Sequence, residues 1–185
     1  MLEIHYKITF LSDWHIGSGL AGGPEADAIV LKDKDSLPYI PGKTIKGLLR
    51  DALEDIQEAT GHKIIVEQIF GKKDSGTRSV INFSNAELSP KEKLEITANG
   101  LSDFLYRNIA STAIDANGVA QKQALRVMEV CIPLKLTGTI ANIETPEIKD
   151  KLLQTLKWVR HLGVNRNRGL GRCKFIEILT PEEND

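Results

Sequence analysis

The sequence has few cysteines, no long apolar run and almost no net charge. Cys131 and Cys173 lie far apart and form no Cys-x-x-Cys pair, which argues against a disulfide framework and against a zinc site. No apolar run approaches the roughly 20 residues that span a bilayer, and residues 1–10 alternate polar and apolar side chains, unlike a signal peptide. We therefore expect buried or half-buried free thiols and a soluble, cytoplasmic protein.

Most common catalytic and nucleotide-binding motifs are also missing. The four histidines are scattered without a His-x-x-x-His pair, and there is no Walker loop or nucleophile elbow. Gly17 to Gly22 reads G-x-G-x-x-G, but Gly23-Pro24 follows at once and no long helix begins there, so we treat the match as coincidence. With a net charge of −1, any RNA site has to come from local clusters of Lys and Arg.

Hydrophobic periodicity predicts two helices and four strands. Apolar stripes at helical spacing predict one helix after Gly42 and another from Pro146 to near Gly163. Alternation or β-favouring composition predicts strands at 3–10, 80–88, 128–137 and 174–179, with a weaker candidate at 94–98. In the third strand, Pro133 should lie at an edge or a bulge. The order strand, helix, two strands, helix, strand predicts an α+β, ferredoxin-like (RRM-like) βαββαβ fold.

The stretch from Gly100 to Arg126 does not fit this regular pattern. It is polar, rich in small residues and has little periodicity. Because it is longer than an ordinary loop, we interpret it as an excursion inserted into a single domain that covers residues 1–185.

The strongest motif is GVNRNRGLGR, residues 163–172, which we call the Gly-rich loop. Its glycines allow close backbone approach and positive φ, and its arginines supply planar forks suited to phosphate. A glycine helix cap followed by a solvated basic turn is the alternative, but three glycines and three arginines in ten residues favour phosphate binding. The candidate RNA contacts here are Gly163, Asn165, Arg166, Arg168, Gly169, Gly171 and Arg172.

The Gly-rich loop, placed before the last strand, resembles the signature of RAMP-superfamily CRISPR proteins. Three further stretches are similar to elements of that family. Residues 14–19 resemble its H-x-G element after the first strand, residues 37–47 its helix entry, and residues 113–126 a segment of type III backbone subunits. The resemblance covers nearly the whole chain and is greatest to the RNA-cleaving backbone subunit of type III effector complexes.

The resemblance implies a set of partners. The expected partners are CRISPR RNA, complementary target RNA, other effector subunits and stacked copies of the same chain. Residues 100–126 would form a thumb inserted between bases, which suits single strands because their bases can be splayed. A non-cleaving end-capping RAMP subunit and, less favoured, an endoribonuclease that processes CRISPR precursor RNA are the alternatives.

The resemblance also identifies Asp27 as the principal catalytic candidate. It matches the loop aspartate that cleaving subunits need, together with a divalent metal, commonly Mg²⁺, to cut target RNA. Asp27 would hold the metal or assist deprotonation of the ribose 2′-hydroxyl. Without the family it is an ordinary solvated loop acid. His15 is a second, weaker candidate because imidazole titrates near neutrality, with packing of the loop as the alternative.

A second basic cluster lies on the first predicted helix. Lys43, Lys46 and Arg50 fall on one side of this helix, and its N-terminus adds partial positive charge. We expect phosphates to dock there, with a solvated helix face as the alternative. Arg126, at the end of the thumb candidate, completes the set of expected RNA contacts.

Replacing Arg166, Arg168 and Arg172 together with alanine should weaken RNA binding, because these side chains form the densest positive cluster in the sequence. The slope of log affinity against log salt should fall by roughly 0.7 for each lost phosphate contact on a single strand. Titrations at several salt concentrations measure both effects. An unchanged affinity and slope, at equal folded content, would make the loop a structural turn.

Overall fold

The computed structural model describes residues 1–19, 26–61, 66–72, 79–121 and 124–179. Its strands are β1 (Leu2–Phe10), β2 (Asn82–Phe83), β3 (Tyr106–Ser111), β4 (Arg126–Cys131), β5 (Lys135–Ile143) and β6 (Cys173–Ile178). Its α-helices are α1 (Gly42–Thr60), α2 (Val66–Phe70), α3 (Pro90–Ala98) and α4 (Pro146–Trp158). The main sheet is antiparallel with spatial order β2-β5-β1-β6, and β3 and β4 form a separate antiparallel pair. The predicted α+β class is confirmed, and the sheets are antiparallel.

The core lies between the main sheet and helices α1 and α4. Strand β1 is central, pairing with β5 on one side and β6 on the other. Its alternation turns Ile4, Tyr6, Ile8 and Phe10 to the same buried face, as period-2 patterning requires. The apolar stripes of both helices join this cluster. Within the described ranges, every helix is too short or too polar to span a bilayer.

The predicted long strand at 128–137 is wrong, because it is two strands in two different sheets. Strand β4 ends at Cys131 and β5 begins at Lys135, so Pro133 lies in the short link that carries the chain between the sheets. Proline has no N–H for a ladder bond, and its ring fixes φ. The predicted alternation holds at the start of β5, where Leu136 is buried and Lys135 exposed, but not at the end of β4, where Val130 and Cys131 are both buried.

The weak strand candidate at 94–98 is also wrong. These residues end helix α3, which begins after a capping box at Ser89 and Glu92. The Glu92 amide donates to the Ser89 hydroxyl at 3.3 Å, and the Ser89 amide donates to the Glu92 carboxylate at 3.0 Å. The strand expected at 80–88 shortens to the two residues of β2, followed by isolated bridges to Ile40 and Thr137.

Two further differences concern the boundaries of helices. Helix α4 ends at Trp158, five residues before Gly163, because Val159 has extended backbone with φ −67° and ψ 122°. Helix α2 was not predicted, since its five residues are too few to show a period.

The segment interpreted as an excursion, residues 100–126, contains one complete strand of a β-hairpin. Strand β3 pairs with β4 from Tyr106 opposite Cys131 to Ser111 opposite Arg126. Near the tip, the carboxylate of Asp115 accepts hydrogen bonds from the amides of Asn117 and Val119, both at 2.9 Å. Such a side-chain to backbone turn organises a polar stretch that has no apolar period.

Both cysteines are free and buried, as expected. Burial raises the pKa of the Cys173 thiol to about 12 and raises that of Cys131 as well. Both thiols therefore remain protonated near neutral pH, the state in which a thiol is a poor nucleophile and metal ligand.

Tyr6 provides a test of the core. Its ring lies over Gly138 of β5, and its buried hydroxyl has no hydrogen-bond partner among the described residues. An unsatisfied buried hydroxyl is destabilising, so Tyr6→Phe should raise the free energy of unfolding by up to about 1 kcal/mol. Tyr6→Ala, the matched control, should lower it by about 3 to 5 kcal/mol. Urea unfolding of the three proteins measures both changes.

The pH dependence of the same proteins adds a second readout. Burial raises the pKa of Tyr6 above its ordinary value of 10.0. Above pH 10 the unfolded phenol ionises while the folded one stays neutral, so the wild type should lose stability there. Tyr6→Phe should lose less stability than the wild type there, and the loss that remains comes from Tyr106 and the two buried thiols, whose pKa values burial also raises. A large destabilisation by Tyr6→Phe at neutral pH would mean that the hydroxyl has a partner.

Candidate nucleic-acid interface

The Gly-rich loop is bonded through its backbone to the segment that follows β1. The amide of Gly171 donates to the carbonyl oxygen of Asp13 at 2.7 Å, and the amide of Val164 donates to that of His15 at 3.1 Å. The Arg172 amide donates to the Ser12 hydroxyl at 3.0 Å. The path of the loop is thus fixed by the protein itself.

Two glycines are required for this close approach. Gly163 has φ +98°, and a Cβ added to it would overlap the carbonyl oxygen of His15. Gly171 has φ +70°, and a Cβ there would overlap the carbonyl oxygen of Leu162. Both the positive φ and the contact exclude any larger residue.

The loop arginines remain at the surface. Arg166 and Arg168 lie in a short 3-10 turn that follows Asn165, whose own backbone is left-handed at φ 54°. Arg166, Arg168 and Arg172 are exposed, and no acid in the described part of the chain forms an ion pair with them. Unpaired guanidinium groups on a fixed backbone are well suited to phosphate oxygens.

Asp27 lies beside the first residues of β4. Its amide donates to the carbonyl oxygen of Val127, and its carboxylate accepts the Val127 amide, both at 2.7 Å. The next strand residue, Met128, contacts the side-chain amide of Asn165 at 4.0 Å from nitrogen to sulfur. The structure therefore brings Asp27 and the Gly-rich loop to the first residues of β4, next to Arg126, at the end of the β3–β4 ladder from which the hairpin loop extends. Asp27 is exposed, but one of its carboxylate oxygens is tied to the strand.

His15 is buried, with 3% of its surface exposed. Its Nδ1 lies 2.6 Å from the carbonyl oxygen of Glu129, and a Cβ added to Gly17 would lie 3.1 Å from its Nε2. These contacts favour the packing alternative, in which His15 links β4 to the segment under the Gly-rich loop. A catalytic role for His15 stays a prediction.

Glu129 and Asp13 support the interface, and neither was predicted. The Glu129 carboxylate accepts the Val30 amide at 2.9 Å and pairs with Lys32 Nζ at 2.8 Å. The Asp13 side chain is buried and pairs with Arg107 of β3, whose Nε lies 2.7 Å from the carboxylate. A sequence carries no signal for these pairs, because their partners lie about a hundred positions apart.

The basic cluster on α1 is divided. Arg50 donates to Glu54 at 2.9 Å and to the carbonyl oxygen of Gly71 at 3.1 Å, and only 15% of its side chain is exposed. This geometry favours a structural role. Lys43 is exposed and Lys46 half-buried, and their phosphate binding stays a prediction.

The N-terminus of α1 offers few amides to an anion. The Gly42 amide donates to the Asn85 side chain at 3.0 Å, and the amides of Thr44 and Ile45 donate to the Pro41 carbonyl oxygen. Because these donors are used internally, any phosphate near α1 would depend mainly on lysine side chains.

The model of the RAMP superfamily matches residues 7–174, from within β1 into β6. The chain belongs to the RAMP superfamily. The identification made from the four sequence stretches is thereby confirmed, and the matched range includes the Gly-rich loop, Asp27 and the β3–β4 hairpin.

Two solved structures are similar to this RAMP protein over nearly their whole length. A chain of the cryo-EM structure of Type III-B Cmr-beta bound to cognate target RNA matches with a TM-score of 0.75 at 11% identity, covering 96% of this chain and 97% of that one. A chain of the Type III-B Cmr-beta cryo-EM structure in the apo state matches with a TM-score of 0.73 at 13% identity, covering 97% and 98%. At such identities the likeness shows a shared fold. A search of the curated proteins found no match.

The described part of this RAMP protein contains no group of three or more His, Cys, Asp or Glu side chains that could hold a metal ion. Mg²⁺ is often bound by one or two carboxylates, with phosphate oxygens and water completing its shell. Asp27, an exposed carboxylate with one oxygen bonded to Val127, fits a Mg²⁺ that arrives with RNA rather than one held by the protein alone.

Glycine substitutions test the docking of the loop. Gly171→Ala should be strongly destabilising, because the added methyl group meets the Leu162 carbonyl oxygen. Gly169→Ala is the matched control, since its φ is +88° but its Cβ would meet nothing within 4 Å. The control should lose about 1 to 2 kcal/mol from its backbone conformation, and Gly171→Ala at least about 2 kcal/mol more. Equal losses in urea unfolding would contradict the docked loop.

Proposed function

We propose that this RAMP protein binds CRISPR RNA as a backbone subunit of a type III effector complex. The observation that carries the proposal is the Gly-rich loop, whose backbone is docked on the protein while three arginines remain exposed and unpaired among the described residues. The fold shared with a chain of Type III-B Cmr-beta bound to cognate target RNA supports it.

The order of elements supports a particular description of the fold. Elements β1, α1, β2, β5, α4 and β6 follow one another as a βαββαβ unit, with both edge strands, β2 and β6, each reached through a helix. We assign this unit as a ferredoxin-like core and the β3–β4 hairpin as the thumb-like insertion. The whole chain, 1–185, is then one RAMP domain.

Each part has a defined role in RNA binding. The arginines of the Gly-rich loop contact phosphates, and Arg126 extends the positive surface to the end of the β3–β4 ladder from which the hairpin loop extends. The distal part of the hairpin exposes Ile114, Val119 and Leu125, which can pack against splayed bases of a single strand. Copies stacked along the guide would each hold one segment of guide and target.

The proposal includes cleavage of the bound target RNA at Asp27. The Val127 amide orients the carboxylate through one oxygen, so the other can face a phosphodiester that lies beside the first residues of β4. A Mg²⁺ bound with the RNA would supply charge stabilisation at the reacting phosphate. Asp27 would orient this ion or accept the proton of the attacking 2′-hydroxyl.

A non-cleaving end-capping subunit is the second candidate, and a precursor-processing endoribonuclease is the third. Both are consistent with the docked loop, because all three functions require phosphate contacts. Native mass measurement of a purified complex separates the first two, since a backbone subunit is present in several copies and a cap in one.

Asp27→Asn should abolish Mg²⁺-dependent cutting of complementary RNA and leave guide binding unchanged. The amide oxygen can still accept the Val127 hydrogen bond, so the contact with β4 should stay intact, whereas alanine would lose that bond. Cleavage of labelled target by the assembled complex is the measurement, with binding followed in parallel.

Asp35→Asn is the control. Asp35 is a nearby loop acid that pairs only with its neighbour Lys34 among the described residues. The complex that carries Asp35→Asn should therefore cut target RNA at the wild-type rate. Asp33 is unsuitable because its carboxylate accepts the amides of Asp35 and Leu37. If the Asp27→Asn complex still cuts target RNA, Asp27 takes no part in cleavage. If the wild-type complex never cuts, the function as a capping subunit is favoured.

A further inference from the structure

The main sheet has a second face, opposite the one on which α1 and α4 pack. Both helices join the core on the face that carries Tyr6 and Ile8. Residues paired across antiparallel strands lie on the same side of a sheet, so the strand registers define the other face. Three rows of residues cross it from β5 through β1 to β6, namely Lys135–Thr9–Lys174, Thr137–Lys7–Ile176 and Thr139–His5–Ile178. All nine residues are exposed or half-buried, and we call this surface the open sheet face.

The row nearest the Gly-rich loop is basic. Lys135 and Lys174 are exposed and flank Thr9, and Lys7 adds a third cation in the next row. Within the described part of the chain, neither Lys135 nor Lys174 forms an ion pair. Because adjacent strands lie about 4.8 Å apart, the Cα atoms of these two lysines are separated by about 10 Å. The row is therefore wide enough for successive phosphates of one strand.

This basic row continues the surface of the Gly-rich loop. The amide of Leu11 donates to the carbonyl oxygen of Arg172 at 2.8 Å, which extends the register of β1 with β6 by one residue. Arg172 therefore follows the alternation of β6 and lies on the same side as Lys174, two residues further along. A polyanion bound at Arg172 can thus extend across β6 and β1 to Lys135 on one surface.

The side chains of the open sheet face suit a phosphate backbone better than a protein partner. Lysine and threonine side chains are common phosphate contacts, whereas the centre of a protein–protein interface is depleted in lysine and enriched in aromatic residues. The three rows contain no Phe, Tyr or Trp. RNA-binding sheets that read bases stack them on aromatic side chains, so this face would hold a strand by charge and would not select its bases.

We propose that the open sheet face binds the phosphate backbone of single-stranded RNA where the strand leaves the Gly-rich loop. Lys174 and Lys135 each contact a phosphate, and the Thr9 hydroxyl donates to a phosphate oxygen between them. The inference rests on the proposed function and extends it, because it adds a second segment to the RNA path. Contacts of this kind accept any base sequence, as binding along a guide of variable sequence requires.

Salt titrations of RNA binding by the full chain provide the test. Lys135→Ala and Lys174→Ala should each weaken binding of oligo(U) and lower the slope of log affinity against log salt by roughly 0.7, and together by roughly 1.4. The losses should be the same with oligo(C), since no base is selected. Lys151→Ala is the matched control, because it removes an exposed lysine of α4, on the other side of the sheet. Its affinity and slope should equal those of the wild type.

Acylation of lysine amines provides a second readout. Saturating oligo(U) should protect Lys135 and Lys174 from an N-hydroxysuccinimide ester and leave Lys151 reactive, as measured by mass spectrometry of the digested protein. Protection of the two lysines that increases with protein concentration, without RNA, would identify the open sheet face as a protein contact and overturn the proposal.

The outcomes separate this inference from the proposed function. RNA binding that depends on the arginines of the Gly-rich loop but on neither Lys135 nor Lys174 would refute the open sheet face and leave the function standing. Losses that differ between oligo(U) and oligo(C) would show base selection and contradict the backbone contacts. Absence of any RNA binding by the wild type would refute the proposed function, and this inference with it.

Discussion

The docking of the Gly-rich loop on the segment after β1 is the constraint on which the interface depends. Gly171 and Val164 donate their amides to the carbonyl oxygens of Asp13 and His15. His15 in turn shares a hydrogen bond with the Glu129 carbonyl on β4. His15 thus connects the loop, through its backbone carbonyl, with strand β4 of the hairpin, through its buried imidazole, so that a displacement of either disturbs the other.

This docking determines how the protein can bind a polyanion. Amides of Val164, Arg168, Leu170, Gly171 and Arg172 are used in internal hydrogen bonds, so phosphate binding has to come mainly from arginine side chains. Such binding does not need a basic protein. A chain with a net charge of −1 can still hold RNA, because its acids are distributed elsewhere while the loop concentrates cations on a fixed backbone.

The features that could be predicted from the sequence are those whose signal lies in neighbouring residues of the chain. The strand β1 and the helix α1 were predicted because each buries one face, and the Gly-rich loop because its glycines and arginines are contiguous. Helix α3 was missed because it buries no residue, which leaves only its capping box as a signal. The Asp13–Arg107 pair joins residues 94 positions apart, and only the folded chain brings them together.

The central claim is that the protein holds CRISPR RNA through the docked loop. Its most direct test is to purify the protein from its native cells with everything bound to it and to sequence the RNA. The account predicts transcripts of CRISPR repeats and spacers, enriched far above their cellular abundance and bound in one register. Absence of RNA, or a mixture that follows cellular abundance, would contradict the claim.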